Sequence, residues 1–187
     1  MIRRILIALA STLTLSACAP EAEKPRAMPA PLAAALASLN AASDEAAAEA
    51  AANEVMGFFL QSGSPSVDAL VERAGLAEIH NDLPKARALI DEAINLKPDF
   101  AEAYARRAAI AFAGKDFNSA HRDLTKAVLL EPRHFAAWAG LGAVNEALRQ
   151  PAEALKAYRA ALALYPKFQP ARDGEARTSR IVEGVET

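Results

Sequence analysis

From Val67 onward, apolar and small residues recur at a fixed spacing. Bulky side chains stand at Leu70, Tyr104 and Trp138, and small ones at Ala74, Ala108 and Gly142. Apolar residues return at Ile90, Leu124 and Tyr158. Alanines repeat at 86, 120 and 154 and again at 93, 127 and 161, and prolines fall at 98, 132 and 166. Every column has a period of 34 residues. Within each unit the pattern predicts two helices joined by a turn, at 81–83, 114–117 and 149–151. The small columns let two helices approach closely, and the bulky columns fill the remaining space. The proline ends the second helix, because its ring removes a donor and restricts the preceding residue. One helix pair cannot bury both of its faces, so successive units must stack.

The flanks read differently. Pro20 to Pro31 holds four prolines, several charges and no apolar period, as an extended tether does. Leu32 to Ala52 is alanine-rich, which favours helix locally but offers few large groups for packing. Residues 18–52 are therefore expected to form a tether. Residues 53–66 carry Val55, Met56, Phe58, Phe59 and Leu60, which need burial. They are expected to cap the first repeat, with Phe58 and Phe59 packing on Leu70 and Leu83. Ser64 and Pro65 mark the start of the next helix. Residues 169–184 read as a polar C-terminal capping helix with Ile181 and Val182, ended by Gly184.

A 34-residue unit with these columns resembles the tetratricopeptide repeat, over Val67 to Phe168. The resemblance implies an all-α fold: a right-handed superhelix of three helix-turn-helix repeats (67–100, 101–134, 135–168) with capping helices at both ends. In such superhelices the first helix of each unit lines a concave groove. That places Val71, Glu72, Ile79, Glu102, Arg106, Phe112 and Glu146 in a partner-binding groove, with Asp68 and Glu78 beside them and alanine and glycine lining most of the rest. The family's carboxylate clamp would fall on Val71, Gly75, Arg106, Ala136 and Gly140. Only one of these is basic, so chaperone-tail binding is not carried over. A small-lined groove suits a peptide or helix with apolar anchors and basic flanks; the convex face is the alternative interface. Arg73 and Arg107 stand where the repeat usually has leucine. Arg107 is expected to pair with Asp123, whereas Arg73 faces Leu89 at the matching place. The junction Glu131 to Gly142 resembles small repeat proteins of Gram-negative bacteria, with Phe135 expected to wedge between repeats and Arg133 to cap carbonyls.

The N-terminus adds an address. Arg3 and Arg4 precede an apolar run, Ile5 to Leu15, too short to span a bilayer as a helix. Residues 1–17 read as a signal peptide. Leu15-Ser16-Ala17-Cys18 resembles a bacterial lipobox, which implies lipidation of Cys18, palmitate among its acyl chains, and a membrane anchor. Ala19 after the cysteine leans towards the outer membrane, facing the periplasm. Similar proteins are small outer-membrane tetratricopeptide lipoproteins.

Composition narrows the classes. A net charge of −2 gives no reason to expect nucleic acid. One cysteine makes neither an internal disulfide nor a multi-cysteine zinc site. His80, His121 and His134 occupy different repeat positions and form no metal motif, and no catalytic constellation or cofactor loop is present. The expected function is a membrane-anchored adaptor for a protein or peptide partner, not an enzyme. A holdase or assembly factor for envelope proteins is the alternative.

Overall fold

The computed structural model describes residues 28–184; Cys18 and the signal segment lie outside them. The described residues are helical, without strands: α1 (Ala30–Ala41), α2 (Glu45–Phe59), α3 (Pro65–Ile79), α4 (Leu83–Leu96), α5 (Ala101–Ala113), α6 (Phe117–Leu130), α7 (Phe135–Ala147), α8 (Pro151–Leu164) and α9 (Gln169–Glu183). None of these helices is long and apolar enough to cross a membrane.

α3–α4, α5–α6 and α7–α8 are the three repeats, each pair packed internally and stacked on the next. The recurring alanines 86, 93, 120, 127, 154 and 161 are fully buried, which is why nothing larger stands there. The bulky column has a second use. Tyr104 Oη donates to the Pro98 carbonyl at 3.0 Å, and Trp138 Nε1 donates to the Pro132 carbonyl at 2.8 Å. Both polar tips thereby tie a first helix to the proline turn before it.

The turns inside the repeats share one geometry. Asn81, Lys115 and Arg149 all adopt the left-handed conformation, with φ of 56°, 62° and 59°. The next residue's amide then reaches back to Ala77, Ala111 or Asn145, satisfying carbonyls at the helix end. Asp82 and Asp116 cap the following helices by accepting from the amides of Lys85 and Ser119. Hydrogen bonds from Ser119 to the exposed Asp116 carboxylate hold it below the usual carboxylate range. Gln150, at the third equivalent place, makes no such cap.

The segment before the repeats departs from the sequence expectation. Residues 30–41 and 45–59 form a helical hairpin, with Asp44 capping α2 through the Ala47 amide at 2.8 Å. Leu32, Ala35, Leu39, Ala48, Val55 and Phe59 form a core that also contains Phe135 and Tyr165 of the third repeat. Leu36 and Phe58 pack against this core. Phe58 and Phe59 therefore do not cap Leu70 and Leu83; the aromatic surface that receives them is 75 or more residues away in sequence. Phe135, Tyr165 and Phe168 form that surface, each ring 5.1–5.3 Å from the other two. Phe135 thus receives the hairpin as well as filling a repeat junction. Two polar ties accompany the apolar contact: Asn40 Nδ2 donates to the Ala163 carbonyl at 3.2 Å, and Lys167 Nζ donates to the Ser43 carbonyl at 2.6 Å.

At the other end, α9 packs on α8 and α7. Gly174 and Gly142 both abut the Tyr158 ring with no room for a Cβ. Gly184 ends the helix at φ 65°, a conformation glycine adopts without steric cost. Ile181 and Val182 stay exposed, so the helix seals the stack with Ala171, Gly174 and Thr178.

Candidate functional site

The first helices of the repeats, α3, α5 and α7, line two adjoining cavities. One, of about 420 Å³, lies between α5 and α7, with Leu124 of α6 in its wall and Met56 of the hairpin at one edge. The other, of about 510 Å³, lies along α3 beside Leu60. Glu78 and Arg106 belong to both.

The groove's width follows from residue size. Ala105, Ala109, Ala136, Gly140 and Ala143 line the first cavity with almost no side chain. A Cβ on Gly140 would stand 3.2 Å from Leu124 Cδ2, so the missing side chain lets this α6 leucine reach the groove floor. Phe112, held by the Phe117 ring at 5.3 Å, supplies the large apolar face. Val71, Glu72 and Ile79 line the second cavity with Leu76. Leu60, Leu76, Ile79 and Phe112 are all exposed, Ile79 to 79%. Four exposed large apolar side chains thus gather along one groove, where scattered ones would need no explanation.

The polar groups of the groove are mostly spoken for. Glu102 is buried, 5% exposed. Its Oε1 accepts from Arg106 Nε at 2.8 Å, and its Oε2 lies 3.0 Å from His134 Nε2. His134 is the N-cap of α7: its Nδ1 accepts from the Ala137 amide. A ring nitrogen that accepts bears no proton, so Nε2 carries the hydrogen and donates it to Glu102, and the imidazole is neutral. Its face stacks on Phe59, centroids 4.9 Å apart. One buried histidine thus joins the hairpin, the second repeat and the start of the third. In the sequence it reads as a junction residue, because its three partners lie 32, 3 and 75 residues away. Glu78 is different again: its Oε1 is buried and has no hydrogen-bond partner among the described residues.

Glu146 is not in the groove. It lies at the far end of α7, where its Oε2 accepts from Tyr158 Oη and from Arg177 Nη2 at 3.0 Å. Burial opposes ionisation of Glu146, but the hydrogen bonds from Arg177 and Tyr158 together outweigh it and hold its carboxyl below the usual range. Burial and the Glu146 carboxylate push the Tyr158 hydroxyl well above its ordinary value. The α9 helix that brings Arg177 engages this carboxylate, which lines neither groove cavity. Arg133 likewise does not cap carbonyls; its guanidinium binds the Glu131 carboxylate, Nη2 to Oε2 at 2.7 Å.

Arg107 forms the structural centre of the middle repeat. Nε and Nη2 donate to the two oxygens of Asp123, each at 2.7 Å, and Nη1 donates to Asp91 at 2.8 Å. The Asp123 hydrogen bond is the main reason the guanidinium holds its proton more tightly than usual, against burial. Arg73 makes no such pair among the described residues and lines a pocket of about 250 Å³ with His80 and Asp82. Among the described residues no cluster of His, Cys, Asp and Glu is arranged to hold a metal ion.

Known proteins place this geometry. Residues 135–168 match the tetratricopeptide repeat family model. A TPR repeat-containing protein of Rhizobium etli is 34% identical over 65% of the chain, which spans 60% of that relative's length. In fold, the first TPR of Spaghetti (RPAP3), bound to the HSP90 peptide SRMEEVD, matches 64% of this chain and 95% of its own, with a TM-score of 0.62 at 24% identity. The Arabidopsis OM64 TPR domain matches 62% of this chain and 96% of its own, with a TM-score of 0.60 at 29% identity.

Proposed function

We propose that this tetratricopeptide-repeat chain is a lipid-anchored adaptor that holds a protein segment in the groove of α3, α5 and α7. The observation that carries the reading is the convergence of Leu60, Leu76, Ile79 and Phe112 on two adjoining cavities, the one between α5 and α7 floored by alanine and glycine. Small residues on a rigid scaffold leave room for bulky side chains of a helix or extended peptide. The peptide-bound Spaghetti domain supports peptide recognition as the use of such a fold. Its peptide ends in Glu-Glu-Val-Asp, whereas this groove holds Arg106 as its one basic lining residue.

The anchor rests on the lipobox-like Leu15-Ser16-Ala17-Cys18 and on the signal-like residues before it. Several acyl chains on one residue would hold the protein stably at a bilayer, since each buried CH₂ contributes about 0.8 kcal/mol. Ala19 points to the outer membrane, with the repeats in the periplasm.

Two experiments test the reading. Crosslinking pull-downs are compared for the wild-type chain, Phe112→Glu and Ile79→Asp. Loss of one shared partner by both variants is expected, and its retention by both places the interface elsewhere. Incorporation of a palmitate analogue is expected at Cys18 and absent in Cys18→Ser, which should leave the membrane fraction. Unchanged labelling of that variant would refute the anchor.

A further inference from the structure

Resting on that groove reading, we infer that Glu78 makes the groove selective for a cationic side chain, and that the segment it binds carries a lysine or arginine between two bulky apolar residues. Glu78 lines both cavities, so it stands where they join. Its buried Oε1 has no donor. That oxygen is closed to solvent although the Glu78 residue is only partly buried, so rotation of the carboxylate towards the groove would let one N–H from a bound partner remove the cost of the missing hydrogen bond.

The surrounding charges set the sign of the partner. Arg106 is the basic lining residue, and its Nε donates to Glu102. His134 adds no charge while its Nδ1 accepts from Ala137. Asp68 and Glu72 line the α3 cavity as well, Asp68 Oδ1 accepting from the Ser62 amide. The groove therefore holds four carboxylates, at 68, 72, 78 and 102, against one guanidinium. An anionic tail meets repulsion there, whereas an ammonium or guanidinium group meets an unpartnered acceptor. The apolar faces flank that acceptor, with Phe112 in one cavity and Ile79 and Leu76 in the other. A ligand filling both cavities must carry its cation between its two apolar groups.

The test uses the full chain in detergent and a displayed library of random twelve-residue peptides. Lysine or arginine is expected to be enriched over acidic residues between two bulky apolar positions. The best such peptide, made synthetically, should bind Glu78→Gln at least tenfold more weakly, about the value of one charged hydrogen bond. Replacing its lysine by norleucine should cost as much on the wild-type chain and little on Glu78→Gln. The wild-type half of that comparison does not depend on how well the variant folds. Recovery of apolar peptides with no basic preference, or equal binding by Glu78→Gln, overturns this inference and leaves the groove reading standing. Enrichment of acidic peptides also overturns it. Recovery of no peptide overturns both.

Discussion

Arg107→Leu removes the guanidinium that ties α4, α5 and α6 together. The side chains of Arg107 and Asp123 are 22% and 12% exposed, so Asp123 loses its one ion-pair partner among the described residues in a site mostly closed to water. Asp91 is 42% exposed and can be hydrated, so it adds little to the cost. Breaking a buried pair from one side typically costs 3–5 kcal/mol, and the partial exposure puts Arg107→Leu near the lower end, about 3 kcal/mol. Asp123→Leu leaves the arginine its bond to Asp91 and should cost about 1–2 kcal/mol. The double variant Arg107→Leu/Asp123→Leu replaces the pair with apolar groups and should return to within about 1 kcal/mol of wild type. Urea unfolding of the four proteins, followed by circular dichroism, measures the coupling, expected at about 3–5 kcal/mol. A double variant that loses the sum of the two single costs refutes the reasoning, since the pair would then be independent.

Four further outcomes follow from particular contacts. Gln150→Asp should gain about 1 kcal/mol in thermal or urea unfolding, by supplying the cap that Asp82 and Asp116 provide in the other repeats. Gly174→Ala should lose about 1–3 kcal/mol, because its Cβ would enter the Tyr158 ring, which Gly142 also crowds; the penalty exceeds the gain in helix propensity. The depressed carboxyl of Glu146 stabilises the fold above its ordinary 4.5, and that stability is lost as pH falls through the lower folded-state value; hydrogen exchange in α9 should rise there in wild type and show no such step in Glu146→Gln. Phe59→Ala should raise hydrogen exchange in α1 and α2 while α3–α6 keep their protection, because the lost contacts lie between the hairpin and the third repeat.

The repeats were legible because their packing imposes residue size at fixed places. A buried alanine such as Ala120 or Ala154 has no room to vary, and the proline and the bulky residue six places later share a hydrogen bond. The groove positions on α3 and α5 followed from the same register, and all of Val71, Glu72, Ile79, Glu102, Arg106 and Phe112 line the cavities. Glu146 did not follow, because Arg177 of α9 draws it away and nothing local in α7 announces that partner. The hairpin departs further from the local sequence pattern. Leu32, Leu39, Val55 and Phe59 are half of an interface whose other half is Phe135 and Tyr165. An alanine-rich stretch looks unable to pack when only its own side chains are counted. The unfilled demand of "EVMGFF" was visible in the sequence, but the nearest repeat was the wrong recipient. His134 was hidden for a related reason, since its value lies in three contacts made by three different elements.

The folded hairpin also changes the mechanics of attachment. Counted as coil, the chain from Ala19 to Ala52 would let the repeats roam far from a lipidated Cys18. With α1 beginning at Ala30, eleven residues separate it from Cys18, a reach of at most about 40 Å. The hairpin is docked on the last repeat, so on the lipid-anchor reading pulling force from the bilayer enters the stack at the α8 end and bypasses α3 and α4. The protein then has a short standoff and a preferred end towards its membrane, and the groove can sample only partners that come within that radius.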